Sequence, residues 1–207
     1  EAAAHADHVG EGEGEAVWPA LVAAIERDDE HGGPRTWRAS DFPPVDVAAL
    51  PTPRYDLAAH RPYPRFTVQT TRGCPWRCDF CASNVMLGRP YRKRPVADVI
   101  RDVRAILEVK PDAFLEFADD NTFVDKEWSK ELCRALAPLG VKWFTETDIS
   151  VADDPELLDL IAASGCRQLL IGLESPAAAD LPGVELHADF KARRAPDYGA
   201  ALHAIQS

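Results

Sequence analysis

The residues best suited to chemistry lie in one short run, Gln69-Thr70-Thr71-Arg72-Gly73-Cys74-Pro75-Trp76-Arg77-Cys78-Asp79-Phe80-Cys81. Three of the chain's five cysteines fall here with the spacing C-x3-C-x2-C. Thiolates suit soft iron centres, and an iron–sulfur cubane takes one protein ligand at each iron corner. Three cysteines on one tight loop can therefore hold three irons and leave the fourth open to bind another molecule. A structural zinc site would need a fourth Cys or His; the next are Cys133 and His187, both far along the chain. A Cys78/Cys81 redox pair would open a helix in a thioredoxin-like unit and has no use for Cys74. The open iron–sulfur site fits the run better than zinc or redox pairing, although spacing alone leaves those two open. Cys133 and Cys166 read as small buried hydrophobes.

Such a loop needs a scaffold, and from Phe66 the sequence alternates strand and helix. Strands are expected at 66–71, 113–117, 141–147 and 168–173. Val96, Val99, Ile100, Val103 and Leu107 keep helical spacing after Pro95, and that helix must end by Lys110, before Pro111. Trp128, Leu132, Ala135, Leu136 and Leu139 form a second helical face, with Asp125 as cap and Gly140 beyond its end. Asp153 and Glu156 have capping-box spacing around Pro155 and open a third helix that closes at Gly165. Tyr198, Ala201, Leu202 and Ile205 mark a last one. The nearly continuous apolar run of the fourth strand predicts a strand covered on both faces. Residues 66–207 thus read as (βα)4, a parallel α/β domain. Function in such sheets gathers at the carboxyl ends of the strands. Those ends carry the cysteines, then Asp119-Asp120-Asn121, then Glu146 and Asp148, then Glu174-Ser175.

Upstream, Trp18, Leu21, Val22 and Ile25 recur with helical spacing within residues 1–30. The prolines at 34, 43, 44, 51, 53, 62 and 64 then predict an extended linker over 31–65.

Composition bounds the function. No apolar run approaches the roughly 20 residues needed to span a bilayer, and the start has no signal-peptide pattern. Five cysteines without export signals do not suggest a disulfide framework, which points to the cytoplasm. The formal net charge of −11 argues against a nucleic-acid partner. The local exception, Arg89 to Arg94, reads either as a solvated loop or as an anion site beside a cofactor.

C-x3-C-x-aromatic-C after the first strand of a (βα) repeat resembles the signature of the radical S-adenosylmethionine (SAM) superfamily. The resemblance implies a partial (β/α) barrel in which Cys74, Cys78 and Cys81 hold a [4Fe–4S] cluster and SAM chelates the fourth iron. One electron, supplied by an external flavodoxin- or ferredoxin-like donor, then cleaves SAM to methionine and a 5′-deoxyadenosyl radical that abstracts hydrogen from a small-molecule substrate. It places Phe80 near adenine, Asp119 or Asp120 on the SAM amino group, and Glu146, Asp148, Glu174 and Ser175 near its ribose or carboxylate. No residue is singled out as catalytic.

The run VQTTRGCPWRCDFC, with FADDN, TETD and GLES downstream, resembles the cobalamin-binding radical SAM group, in which a Rossmann-like cobalamin domain precedes the barrel. Residues 1–30 look like the last strand, loop and helix of that domain, and 31–65 like its linker. The Asp-x-His-x-x-Gly ligand motif is absent and Asp7-His8-Val9-Gly10 lacks its spacing, so cobalamin is expected in a full-length parent and not on this chain, with His8 a surface residue. The chain starts at Glu1 and stops at Ser207 after four βα units, which reads as a fragment with an exposed sheet edge. The implied activity is reductive SAM cleavage, extending to a cobalamin-associated methyltransferase-like reaction. A methylthiotransferase-like protein, a non-catalytic truncated iron–sulfur protein and a zinc module are the alternatives.

Overall fold

The structure, a computed structural model, describes residues 2–27, 35–83 and 90–207. Its contacts divide the chain into two units, Glu1–Ala49 and Leu50–Ser207.

In the first unit, β1 (His8–Glu11) and β2 (Arg35–Arg38) pair in parallel, with His8 opposite Arg35. A parallel pair needs a crossover, and α1 (Gly14–Glu26) supplies it. The predicted helix forms, but its buried face is Val17, Leu21 and Ala24, while Trp18 is 64% exposed. Two short strands cover only a narrow stripe of a helix, so the bulky residues beside it stay open. His8 is half-buried rather than a bare surface residue; its Nδ1 accepts from Trp37 Nε1 at 3.4 Å. Part of the expected linker is therefore strand, and His31 to Pro34 lie outside the described residues.

The second unit is built on a four-stranded parallel sheet in sequence order: β3 (Phe66–Val68), β6 (Phe114–Phe117), β7 (Lys142–Thr147) and β8 (Cys166–Ile171). A short antiparallel pair, β4 (Thr71–Arg72) with β5 (Arg92–Lys93), follows the first strand. The helices are α2 (Val96–Val109), α3 (Lys126–Leu136), α4 (Pro155–Ala163), α5 (Phe190–Arg194) and α6 (Tyr198–Gln206). Asp125 caps α3 as predicted, accepting from Trp128 N. The cap of α4 is Asp154 rather than Asp153: with Pro155 at the first helical position, the residue before it is held extended and its carboxylate meets Leu157 N. Gly165, at φ 93, turns the chain into β8, and a Cβ there would lie 2.0 Å from the Val141 carbonyl oxygen.

Val68, Leu115, Phe117 and Trp143 of the sheet pack against Val99, Val103, Ile106, Leu132, Leu136, Leu157 and Ile161 of α2, α3 and α4. Trp143 stacks on Phe117 at 4.8 Å and donates its indole N–H to Ser164 O at 3.0 Å. Alternation along the strands puts Thr67, Glu116, Phe144, Gln168 and Leu170 on the opposite face. Among the described residues this face carries no helical layer, so the expectation of a fourth strand covered on both sides is corrected: Leu170 is 53% exposed. The Pro-rich residues 50–65 are no free tether. Tyr55 and Ala58 pack on the core, Tyr55 OH donates to Thr67 O at 3.0 Å, and Thr52 OH donates to Asp102 at 2.7 Å.

Two cations of the basic run, Lys93 and Arg94, are held by partners within the chain. Arg94 is buried, ion-paired to Asp102 at 2.7 Å and bonded to Gln69 O, and Lys93 pairs with Asp125. Arg94 and Lys93 thus already have carboxylate partners, the second pair lying at the surface; Arg89 lies outside the described residues.

Candidate active site

A cavity of about 340 Å³ opens where the four parallel strands end. Cys74, Trp76, Cys78, Phe80 and Cys81 come from the loop after β3, and Asp120 and Asn121 from the end of β6. Glu146, Thr147 and Asp148 come from β7, and Leu170 to Glu174 from β8. Lys191 reaches in from α5. All three clustered cysteines therefore face one cavity.

Asp120 accepts from Gly73 N at 3.1 Å, next to the first cysteine. Asp119 stands apart from the cavity. Buried, it accepts from Thr70 N, Thr71 N, Thr70 Oγ1 and Thr122 Oγ1, and so ties β4 to the end of β6. Burial pushes its carboxyl pKa up while those four donors oppose the rise. Its oxygens are taken by protein donors, so it is not free to receive an amino group. Asp148 is also buried; burial alone would raise its pKa, but Ser150, Asn121 and Trp76 donate to it and hold it below the usual carboxylate range. Trp76 Nε1 and Asn121 Nδ2 each lie 2.7 Å from Asp148 Oδ2, and Asn121 Nδ2 is 4.0 Å from Cys74 Sγ. Glu146 is raised by burial and by Glu116 and Asp120 nearby. Phe80 is 59% exposed at the cavity rim. Ser175 lies off the cavity, donating to Asp180 and accepting from Ala177 N in a turn.

Glu174 takes a left-handed φ of 69°, a conformation that non-glycine residues adopt at a cost of about 1–3 kcal/mol. It is held by Lys191, which is 5% exposed and donates to Glu174 Oε1 at 2.8 Å and to Gly172 O at 2.5 Å. Sequence reasoning passed over Lys191: it lies in a polar stretch with no periodicity to mark it. Trp76 and Asn121 were visible in their motifs, but nothing in the spacing showed that they share Asp148.

The three cysteines share one loop and face one cavity, and such a thiolate set suits a soft iron–sulfur centre. Among the described residues no three His, Cys, Asp or Glu side chains gather in a group fit to hold one ion. Burial pushes the Cys78 thiol up to about 11, with Lys191 opposing and Glu174, Cys74 and Cys81 adding to the rise. Thiols in that state become thiolates only with a strong positive centre beside them.

The sequence profile of the Radical SAM superfamily matches residues 68–206. The chain belongs to the radical SAM superfamily. An uncharacterized methyltransferase of Synechocystis sp. is 33% identical over 170 residues, covering 79% of this chain and 31% of that protein. The bacteriochlorophyllide d C-12(1)-methyltransferase of Chlorobaculum tepidum is 30% identical over 182 residues, 84% of this chain and 39% of that one. The chain thus spans between about a third and two fifths of the length of these relatives. In fold it is similar to the radical SAM methyltransferase TsrM of Kitasatospora setae, solved with tryptophan and a SAM analog, at a TM-score of 0.54 and 19% identity over 68% of this chain and 28% of that one. Membership in the radical SAM superfamily brings its two cofactors, a [4Fe–4S] cluster and SAM. Among the described residues no helix is long and apolar enough to cross a membrane.

Proposed function

We propose that this chain is the catalytic core of a radical SAM enzyme of the methyltransferase type, acting on a small molecule with electrons from an external protein donor. The observation that carries the reading is the convergence of Cys74, Cys78 and Cys81 on the cavity at the strand ends. Those three residues would hold the cluster. With SAM bound, the cluster supplies reductive cleavage of the sulfonium carbon–sulfur bond.

The chain's own residues bind, orient and shelter. The cavity offers the carboxylates of Asp120, Glu146, Asp148 and Glu174 against the single ammonium of Lys191. That excess of negative charge suits a ligand carrying both an ammonium and a sulfonium, while Lys191 suits its carboxylate. Asp120, beside Gly73 and Cys74, is the better placed of the two tandem aspartates for the amino group. Glu146 faces the open side of the sheet, within reach of a ribose. Phe80 at the rim and Leu170 and Leu173 inside it offer apolar surface to adenine and keep water from the reacting atoms. Ser175 contributes through the turn that follows Glu174.

The sheet is read as part of a (β/α) barrel, with the open face of Thr67, Phe144 and Leu170 as its lumen. Residues 1–30 are read as the end of a Rossmann-like cobalamin-binding domain. Trp18 and Ile25, exposed on α1, suit a helix that packs on further strands of such a domain. The methyltransferase names of the relatives support methyl transfer as the net reaction.

Cys78→Ala tests the assignment. After anaerobic treatment with iron and sulfide, the wild type should gain the broad brown absorbance of a [4Fe–4S] cluster and the variant should not. A full cluster in Cys78→Ala would overturn the ligand assignment.

A further inference from the structure

The connection from β8 to α6, residues 172–197, contains only the five-residue helix α5 and short turns, yet it pairs closely with the cysteine loop. Cys78 and Glu185 form an antiparallel bridge. On either side of it, Asp79 N donates to Val184 O at 3.0 Å and Leu186 N donates to Arg77 O at 2.8 Å. Trp76 stacks on Phe190, rings 4.3 Å apart and 11° from parallel. The backbone on both sides of Cys78 is thereby paired to a segment more than a hundred residues later.

Glu185 is the centre of this pairing and is 1% exposed. Its Oε1 accepts from Arg77 N at 3.0 Å and His187 N at 2.9 Å. Its Oε2 accepts from Ala188 N at 2.8 Å and Phe190 N at 3.3 Å. A buried carboxylate is costly unless its lone pairs are used, and hydrogen bonds to an ionised acceptor are about twice as strong as neutral ones. The four N–H groups come from both segments, three from the connection and one from the cysteine loop. Only an acceptor-only side chain satisfies all four, because a glutamine would turn an NH2 toward amide donors.

We propose that Glu185 is a positioning residue for the cluster: its carboxylate locks residues 172–197 onto the backbone around Cys78 and holds the loop in the form that takes up iron and sulfide. The inference rests on the assignment of Cys74, Cys78 and Cys81 as cluster ligands. Outer-shell partners of metal ligands are commonly worth about 10–100-fold in metal affinity.

The test is anaerobic reconstitution of the full chain as wild type, Glu185→Gln and Glu185→Asp. Iron and sulfide content and the EPR signal of the reduced cluster are read beside far-UV circular dichroism. Glu185→Gln should load about 10-fold more weakly, with an altered EPR line shape and helix content kept, and Glu185→Asp should recover part of the loading. Hydrogen exchange on the wild type provides an arm that needs no variant to fold. Loading should slow exchange at residues 76–79 and 184–190 together, and leave α3 unchanged. Wild-type loading and line shape in Glu185→Gln, or exchange at 184–190 indifferent to loading, would overturn the inference alone. A wild type that takes no cluster would overturn the ligand assignment on which it stands.

Discussion

At the scale of the residue, the site depends on a few groups whose positions are constrained from several directions. Lys191 is the plainest case: a buried ammonium held by one carbonyl and one carboxylate, with Gly172 beneath it. A Cβ on Gly172 would come within 2.9 Å of Glu174 Oε1 and 3.1 Å of Lys191 Nζ, so the glycine keeps room for the pair. Lys191→Met should weaken SAM binding to the loaded protein by about 10- to 100-fold, as loss of a charged hydrogen bond of about 1.5–3 kcal/mol implies. Equilibrium dialysis with labelled SAM reads this directly, with cluster content unchanged; an affinity equal to wild type would remove Lys191 from the binding site. Gly172→Ala should act in the same direction by displacing the same ammonium.

At the scale of the element, one helical layer holds the strands whose ends form the site. Leu136 is fully buried between α3 and the sheet, and Leu136→Ala should cost about 2–5 kcal/mol, visible as a lowered denaturation midpoint. The α3–α4 contact carries an electrostatic link as well. Lys130 Nζ lies 2.9 Å from both Asp154 and Glu156, and those hydrogen bonds hold both carboxyls below their ordinary values of 3.8 and 4.5. Carboxyls with depressed pKa values contribute stability that is present above their ordinary values and lost as pH falls through the lowered ones. Thermal melts should therefore separate Lys130→Met from wild type at pH 7, and the gap should close below pH 3.8. An equal gap in acid would assign the Lys130 effect to packing of its stem.

The elements were legible because their signals are local. Apolar spacing in 96–109 and 126–136 and the stops at Pro111 and Gly140 placed α2 and α3, and the cysteine run marked the loop they support. What escaped the sequence was relational. Glu185 looks like any acid in a polar stretch until Arg77, His187, Ala188 and Phe190 are seen to converge on it. Asp119 and Asp120 are neighbours of one type, and only the fold shows one buried among threonines and the other facing the cavity. The apolar run of β8 suggested cover on both faces, whereas Leu170 is apolar because it lines the cavity.

At the scale of the molecule, a sheet layered with helices on one side presents its other face and the ends of its strands to a ligand. That open face joins the cavity through Glu146 and Leu170, so a substrate lying on it would meet SAM at the strand ends. The central claim is that the cysteine loop and the strand ends form one site, with SAM bound at an open iron. EPR of the anaerobically reconstituted, reduced protein, recorded with and without SAM, tests it most directly. The account predicts a reduced [4Fe–4S] signal whose g-values shift when SAM is added. A cluster signal indifferent to saturating SAM would contradict it.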